Sequence, residues 1–275
     1  MENLVLQVEE ISGEIKISDY LKRNIGFSSS LVKKVKYGGV QLNGQIVTMR
    51  ATVKTGDTVN ITFPEEESEN VEPIAIPLDI LYEDEHVLAI NKPANMPTHP
   101  SRGNHLPTLA NAVRAYLGAP FVFRAVNRLD RGTSGIVIIA KNPYAAAKLG
   151  RAMKERRFLK KYLAKIKGVP NNKEGRIDAP IARLTEGNIK RGVREDGKRA
   201  ITDYKVIEVK DGNAVTEIIL HTGRTHQIRV HMAYIGHPLL GDFLYGDETP
   251  DGYSLICSEI SFPHPVTDEI ITIKA

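Results

Sequence analysis

The stretch Asn127-Arg-Leu-Asp-Arg-Gly-Thr-Ser-Gly135, followed by the apolar run Ile136-Val-Ile-Ile-Ala140, decides how this chain builds its fold. A turn-rich loop runs directly into a segment with no polar residue, which predicts a loop fixed at the edge of a buried strand. Within the loop, Asp130 stands between Arg128 and Arg131. Neighbouring cations favour the ionised form of a carboxylate. The pattern therefore predicts a reactive carboxylate that faces a polyanionic substrate.

The bulk composition is that of an ordinary globular protein. The chain has 275 residues, of which 41% are hydrophobic and 25% charged, and this length suits one small and one large domain. No apolar run reaches the roughly 18–20 residues that cross a bilayer. The N-terminus lacks the features of a signal peptide. The single cysteine, Cys257, cannot form an internal disulfide. We therefore expect a cytoplasmic protein in which Cys257 fills a buried space.

The positive charge of the chain is concentrated in two places. The net charge is +4 and the pI is about 9.0. Residues 21–40 contain several cations and no acid, and residues 148–167 contain many cations around a single acid, Glu155. Charge runs are commonly solvated surfaces, but two such clusters in separate regions favour a phosphate backbone as partner. We expect this partner to be a nucleic acid.

An acidic segment divides the chain into two parts. Residues 64–76 begin with Pro64-Glu-Glu-Glu-Ser-Glu and show no periodic apolar pattern, which predicts a flexible linker. For the preceding residues 1–63, the sequence predicts two helices, then a hairpin, then a closing strand. The first helix is expected over Lys16–Ile25 and the second over Leu31–Tyr37, after a serine cap. An Asn-Gly turn then predicts a hairpin within Val40–Val47.

This N-terminal part resembles the S4 RNA-binding domain. The resemblance lies in a basic second helix, in the turn Gly38-Gly-Val-Gln-Leu-Asn-Gly44, and in the late motif Thr55-Gly-Asp-Thr-Val59. It implies that Lys33 and Lys34, on the second helix, contact RNA. A small α+β fold without an RNA role remains the alternative.

The second part, residues 77–275, predicts an α+β fold around a mixed but largely antiparallel sheet with flanking helices. Helices are expected over Leu109–Leu117, behind the cap Thr108, and over Pro143–Glu155. A loop rich in proline and glycine covers residues 94–107. Strands are expected after the Asp130 loop and in four later segments: Phe158–Gly168, Ile201–Val209, Val215–Leu220 and Leu255–Phe262.

Three blocks carry the candidate chemistry: Asn127-Arg-Leu-Asp130, Lys160-Lys-Tyr-Leu163 and His221-Thr-Gly-Arg-Thr-His-Gln-Ile-Arg-Val-His231. With these blocks in this order, the chain resembles the RluA-type family of RNA pseudouridine synthases from Leu78 to its C-terminus. The resemblance implies that uracil is detached at N1 and rejoined to the ribose through C5. It implies no metal, no redox cofactor and no other small-molecule cofactor.

The resemblance also implies roles for individual residues. Asp130 matches the catalytic aspartate, acting either as a nucleophile at C1′ or as the base that removes a sugar proton. Tyr162 matches the tyrosine that stacks on the target base, and Arg229 matches the arginine that pairs with the aspartate. Taken alone, each has a plainer interpretation: a capping Asp, a core Tyr, and an Arg that ties a helix to the sheet. A helix is expected over Thr225–Ile235, with Arg229 on its inner face.

Further residues are expected to hold the RNA. Arg128 matches the arginine that fills the nucleic-acid stack when the target nucleotide is flipped out, a step that costs a few kcal/mol. The remaining RNA-contact candidates are cations beside the three blocks, namely Arg131, Lys160, Lys161 and Arg224. Asn127 departs from the family pattern, which usually has His there.

A metal site is not expected. The histidines of the third block are spaced five and six residues apart, which does not place them on one face of a helix. We expect them to be hydrogen-bonded structural groups. The alternatives in function are a non-catalytic RNA-binding or ribosome-assembly protein and a hydrolase with Asp130 as base. For the enzyme, large-subunit ribosomal RNA is the expected target, transfer RNA is the alternative, and the protein is expected to be a monomer.

Overall fold

A computed structural model describes residues 3–63, 71–100, 107–185, 187–247 and 252–275 of the chain. Residues 64–70 of the expected linker and residues 101–106 of the proline- and glycine-rich loop lie outside the described residues. The described residues bury two large hydrophobic cores, one formed mainly by residues before position 64 and one by residues after position 70. A small third cluster contains Ile181, Ala200 and Val230.

The N-terminal unit is a four-stranded antiparallel sheet with two helices against it. Gly26, at φ 90°, ends the first helix, and the Ser28 side chain accepts a hydrogen bond from the Leu31 N–H at the start of the second. Asn43 and Gly44 both have positive φ, as the tight turn of the expected hairpin requires. Its elements are β1 (Asn3–Gln7), β2 (Ile15–Lys16), α1 (Ile17–Tyr20, continuing as a π-helical segment Leu21–Ile25), α2 (Ser29–Gly38), β3 (Val40–Leu42), β4 (Gln45–Val47), β5 (Thr52–Val53) and β6 (Thr58–Thr62). The sheet order is β1-β6-β3-β4, and β2 pairs with β5.

The larger unit is built on a nine-stranded sheet. Its elements are β7 (Ile80–Glu83), β8 (Val87–Lys92), α3 (Leu109–Leu117), β9 (Ser134–Ala140), α4 (Pro143–Lys154), β10 (Leu159–Ile166), β11 (Glu174–Asp178), β12 (Ile181–Arg183), β13 (Arg191–Val193), β14 (Ile201–Lys210), β15 (Asn213–Leu220), α5 (Gln227–Tyr234), β16 (Leu255–Pro263) and β17 (Ile270–Lys274). The sheet order is β11-β14-β15-β10-β16-β9-β8-β7, with β17 also paired to β16. Among the described strands only β9 and β16 pair in parallel. The expected α+β fold with a mostly antiparallel sheet is confirmed.

Residues 71–76 differ from the expected flexible linker. Val71 is buried in the core of the larger unit. Asn111 of α3 donates a hydrogen bond from Nδ2 to the Glu72 carbonyl at 2.7 Å, and its own carbonyl accepts the Ile74 N–H at 3.2 Å. Because an extended segment gains an ordered conformation from such backbone bonds, this stretch lies fixed against α3.

The cap residue and the proline read from the sequence correctly predicted where α3 and α4 begin. Thr108 and Asn111 form the capping box of α3, and Asn142 caps α4, where proline occupies the first turn. The helix that was expected over Thr225–Ile235 is shorter than predicted. It begins at Gln227, as α5, because His226 adopts a left-handed conformation at φ 58°. Short elements such as β1, β12, β13 and β17 had no clear pattern in the sequence. No helix among the described residues is long and apolar enough to span a membrane.

The parallel pairing of β9 and β16 is unusually close. Gly135 lies opposite Cys257, and a Cβ atom built on Gly135 would be 2.3 Å from the Cys257 carbonyl oxygen and 2.6 Å from its nitrogen. Gly135 also has φ 105°, which side-chain-bearing residues rarely adopt. Cys257 pairs on its other side with Tyr162 of β10. Glycine at position 135 therefore brings the end of the Asp130 loop to the strand beside Tyr162.

We predict that Gly135→Ala destabilises the protein by at least about 3 kcal/mol, because it adds both backbone strain and a steric clash with backbone atoms that cannot move away easily. Gly150→Ala is the matched control, since Gly150 lies within α4 and no atom stands within 4 Å of its added Cβ. The control should gain up to about 1 kcal/mol from helix propensity. Urea unfolding of both variants measures the difference, and equal stabilities would contradict the close approach.

Candidate active site

A cavity of about 370 Å³ opens between the loop before β9, strand β10 and the start of α5. Asp130, Tyr162 and Arg229, which come from three separate blocks of sequence, all line it. Its volume lies within the range of small-ligand sites, roughly 300–1,000 Å³. The structure therefore brings the three expected catalytic residues to one place.

Alternate residues of the Asp130 loop are buried and anchor it to the rest of the protein. Asn127 and Leu129 are buried, whereas Arg128 is exposed and Asp130 half-buried. The Thr98 hydroxyl donates to the Leu129 carbonyl at 2.8 Å and accepts the Leu129 N–H at 3.2 Å. Because alternate side chains of an extended segment point to opposite sides, anchoring the buried residues presents Arg128 and Asp130 to the cavity.

Asn127, the irregular residue of the family pattern, is one of these anchors. Its Nδ2 donates to the Ile136 carbonyl at 3.0 Å, and its Oδ1 accepts the Ile138 N–H at 2.8 Å. Both bonds go to β9, so the amide acts as a short stretch of backbone beside that strand. An amide supplies a donor and an acceptor together, as this position requires.

Lys92 is a fully buried cation beneath the same loop. Its Nζ donates to the carbonyls of Pro93 and Met96, each at 2.8 Å, and reaches the Arg131 carbonyl at 3.4 Å. Burial lowers the pKa of Lys92 to about 8, and the charge of Asp130 opposes this shift. Lys92 thus places positive charge close to Asp130 without occupying the cavity.

The sequence predicted that Arg229 pairs with Asp130, but in the structure Arg229 pairs with a different carboxylate. Its Nε and Nη2 donate to the two carboxylate oxygens of Asp242, each at 2.7 Å. The exposed fractions of the two side chains are 3% and 0%. Among the described residues, no ion pair within 4.0 Å joins Arg229 to Asp130, whose charge acts on Arg229 only over a longer distance. The Arg229 fork is occupied by a buried carboxylate because a planar guanidinium matches a carboxylate at two points.

Three aromatic rings surround the Arg229 guanidinium. Its central carbon lies 4.4 Å from the ring centre of Tyr253, 5.0 Å from that of Tyr245 and 5.6 Å from that of Phe243. Such contacts favour a cation at a site from which water is excluded. Tyr253 also contacts the Asp130 loop, because its ring lies against Gly132. The cation and the loop are therefore positioned by the same tyrosine.

Tyr162 is almost completely buried. Its exposed fraction is 5%, and burial raises the pKa of its phenol well above the usual range, so the group stays neutral. It contacts Cys257, whose thiol has its pKa raised by burial to about 12. The part of Tyr162 that lines the cavity forms one of its walls. The expectation that Cys257 is a buried filler agrees with its complete burial.

His226 also lines the cavity, although no catalytic role was predicted for it from the sequence. Its Nδ1 lies 2.8 Å from the hydroxyl of Tyr245, one of the rings against Arg229. Burial lowers the pKa of His226, while the charge of Asp130 acts in the opposite direction. The imidazole is therefore neutral at pH 7. Its left-handed backbone conformation is strained for a histidine, and such strain often occurs at functional sites.

The expected RNA contacts lie in different parts of the structure. Arg128, Lys160 and Arg224 line the cavity. Lys161 points elsewhere and forms ion pairs with Glu217 and Glu259.

The Arg131 side chain is exposed but does not line the cavity, and only its carbonyl takes part in the loop, through Lys92. Lys33 and Lys34 lie on α2 of the N-terminal unit, exposed and outside this cavity. Arg131 and Lys161 therefore lie outside the cavity, and their contact with RNA stays a prediction, as it does for Lys33 and Lys34.

The four histidines of the third block and its continuation each have a hydrogen-bond partner in the protein. These pairs are His221 with Asp203, His226 with Tyr245, His231 with Thr202 and the Ala179 carbonyl, and His237 with the Lys167 carbonyl. Within the part of the chain that the structure describes, no group of three or more metal-type ligands converges.

Sequence reasoning missed Lys92, Asp242 and the aromatic rings around Arg229. Lys92 ends a strand in the motif Asn91-Lys-Pro93, and Asp242 lies in Gly241-Asp242, but neither pattern has a periodicity that indicates burial. A lysine at the end of an apolar strand is usually taken for a surface residue. Their importance becomes visible only from their contacts.

Comparison with known proteins shows which proteins this chain is similar to. The sequence profile described as RNA pseudouridylate synthase matches residues 86–234. A Bacillus subtilis protein named as an uncharacterized RNA pseudouridine synthase is 40% identical over 96% of this chain and 93% of its own length.

The ribosomal large subunit pseudouridine synthase D of Xanthomonas campestris is 36% identical, over 90% of this chain and 80% of that protein. The solved structure titled human RNA pseudouridylate synthase domain containing 1 has a TM-score of 0.62 and 30% identity. That match covers 74% of this chain and 86% of the human chain.

We predict that Asp242→Asn destabilises the protein by about 3–5 kcal/mol, because it leaves the buried Arg229 charge without its carboxylate. Asp196→Asn is the control, since Asp196 pairs with Arg194 on the surface, where an ion pair contributes less than about 1 kcal/mol. Urea unfolding at pH 7 measures both. Equal, small losses would show that the Arg229 pair does not hold the site together.

We predict that the stability of the wild-type protein rises relative to Lys92→Met as the pH increases from about 8 to about 10.5. The folded-state pKa of Lys92 is about 8, below its usual value of 10.5, so the folded protein binds fewer protons in this window than the unfolded chain. The unfavourable contribution of this lysine is therefore complete below pH 8 and is relieved above it. Urea unfolding at pH 7.5 and 9.5 should show a relative change of about 2 kcal/mol. A pH-independent difference would contradict the burial of a charged Lys92.

Proposed function

Because the chain belongs to the RNA pseudouridine synthase family and is an isomerase that acts on RNA, we propose that Asp130 is its catalytic residue. The observation that supports this most directly is the convergence of Asp130, Tyr162 and Arg229 on one cavity. A protein that only binds RNA has no physical need for a half-buried carboxylate in a basic cavity. A carboxylate repels phosphate and is useful there only for chemistry.

The reaction proposed for this cavity is the isomerisation of uridine. The N1–C1′ bond breaks, the uracil turns, a C5–C1′ bond forms, and the proton of C5 is replaced by one on N1, so that no atom is gained or lost. Asp130 acts either as a nucleophile at C1′ or as the base that removes a sugar proton. Both roles need the ionised carboxylate.

Tyr162 and Arg229 are proposed to act on either side of this step. The Tyr162 ring forms a wall on which the uracil stacks, and its neutral phenol places no charge against the base. Arg229, fixed by Asp242, lines the cavity together with Asp130 and acts on that residue through its positive field. We propose that this field, rather than a direct salt bridge, is the link between the two residues.

The surrounding cations are proposed to hold the RNA. Arg128 is exposed at the mouth of the cavity and can fill the vacancy left by a flipped nucleotide. The N-terminal unit is proposed to be an S4-like RNA-binding domain, supported by its helix–helix–hairpin order and by Lys33 and Lys34 on α2.

We propose large-subunit ribosomal RNA as the substrate and the cytoplasm as the location. The support is the name of the Xanthomonas relative, a ribosomal large subunit pseudouridine synthase. Transfer RNA is the alternative substrate. The protein is proposed to act as a monomer.

We predict that Asp130→Asn lowers pseudouridine formation by at least about 10²–10⁴-fold, since the variant lacks the charged group of the reaction. RNA binding should persist, with a steep salt dependence, because the phosphate contacts remain. Asp211→Asn, at the exposed turn between β14 and β15, is the control and should stay active. An active Asp130→Asn enzyme would show that another residue carries the reaction.

The target is tested by chemical mapping of pseudouridine in all stable RNAs from cells with and without the gene. Sites that disappear from large-subunit ribosomal RNA, and return with the wild-type gene but not with Asp130→Asn, are the expected result. Loss of sites only from transfer RNA would favour the alternative substrate.

A further inference from the structure

The two cationic stretches of the sequence face each other across a second cavity. This cavity, here called the junction cleft, has a volume of about 660 Å³ and lies between α2 of the N-terminal unit and α4 of the larger unit. Cations from both units line it: Lys22, Arg23, Lys34, Arg124, Arg151 and Lys154. Among its described lining residues there is no acid. The cleft therefore attracts anions from both walls.

The walls of the junction cleft are fixed relative to each other. Arg151 of α4 donates from Nη1 to the carbonyls of Arg23 and Asn24, at 3.1 and 2.8 Å, while its Nε donates to Glu155 at 2.7 Å. A Cβ added to Gly26 would lie 3.2 Å from the Arg151 side chain, so the two units are in close contact. Tyr144, also on α4, is buried in the core of the N-terminal unit. The cations are thus presented at set positions.

The junction cleft and the active-site cavity are lined by residues of the same two elements. Helix α4 contributes Met153 to the active-site cavity and Lys154 to the cleft. The segment before β9 contributes Asp130 to the first and Arg124 to the second. Six residues separate Arg124 from Asp130, so they lie at most about 20 Å apart. This is less than one duplex turn of about 34 Å.

We infer that the junction cleft binds backbone phosphates of the RNA strand that flanks the target uridine, so that both units hold one RNA at once. The inference rests on the proposed function, in which the RNA reacts at Asp130. Charge complementarity favours RNA over an acidic protein segment, because the same polyanion already has to enter the active-site cavity, to which α4 and the segment before β9 also contribute. Phosphates neutralised here release counterions and strengthen binding without reading sequence.

The test measures the salt dependence of RNA binding by Lys22→Gln/Lys154→Gln, which removes one exposed cation from each wall. The probe is a fluorescently labelled 24-nucleotide hairpin RNA of arbitrary sequence. The slope of log affinity against log salt should fall by about 1.5, because each phosphate contact contributes roughly 0.7–0.9. Affinity at low salt should fall by about five- to tenfold.

Lys173→Gln/Lys210→Gln is the matched control, since it removes the same charge from exposed positions that line neither cavity. Its slope should equal that of the wild type. An unchanged slope for the cleft variant, or an equal decrease in both variants, overturns the inference. An unchanged slope for the cleft variant would indicate that the cleft binds a different anion, such as an acidic protein segment.

Cross-linking provides a second measurement that does not depend on charge. Ser30→Cys, on the cleft wall, and Ser12→Cys, exposed elsewhere on the same unit, are each labelled with a photoreactive group. The native Cys257 is fully buried and stays unlabelled. Only the Ser30→Cys protein should cross-link to the RNA hairpin, and equal cross-linking from both positions overturns the inference.

These measurements separate the inference from the proposed function, because binding requires no turnover. If Asp130 is not catalytic, Asp130→Asn stays active while the slope of the cleft variant still decreases. If the cleft does not hold RNA, the slope is unchanged while Asp130→Asn remains inactive.

Discussion

The close approach of β9 to β16 at Gly135 is the constraint on which the rest of the site depends. Strand β16 lies between β9 and β10, so a single residue, Cys257, pairs with Gly135 on one side and with Tyr162 on the other. Any side chain at position 135 would collide with the Cys257 backbone. The parallel pairing therefore sets the distance between the Asp130 loop and the strand that carries Tyr162.

Buried charge is the second organising feature. Removing Arg229 and Asp242 from water is costly, and the cost is offset by their two-point hydrogen bonding, by the N–H groups of Leu244 and Tyr245 that donate to Asp242, and by the aromatic rings around Arg229. Lys92 is buried in a similar way, but its partners are backbone carbonyls. One consequence is that two cations are held near Asp130 without neutralising it by direct contact. The Asp130 carboxylate therefore remains accessible to a substrate.

The way the two units pack together also fixes the positions of cations outside the active-site cavity. Helix α4 belongs to the core of the larger unit through Leu149 and to that of the N-terminal unit through Tyr144. Because one helix contributes to both cores, the basic surfaces of the two units keep a fixed relation. A long polyanionic substrate can then be held at several phosphates while one nucleotide enters the cavity.

The sequence by itself determined the local structure and the family of this protein. Caps, prolines and the Asn-Gly turn predicted α3, α4 and the β3–β4 hairpin, because those signals act within a few residues. The three motif blocks likewise identified Asp130, Tyr162 and Arg229. Only the tertiary structure decided that Arg229 pairs with Asp242, that Lys161 faces away from the site, and that the two cationic stretches meet in one cleft. These facts depend on contacts between distant parts of the chain, and no periodicity within a short segment encodes them.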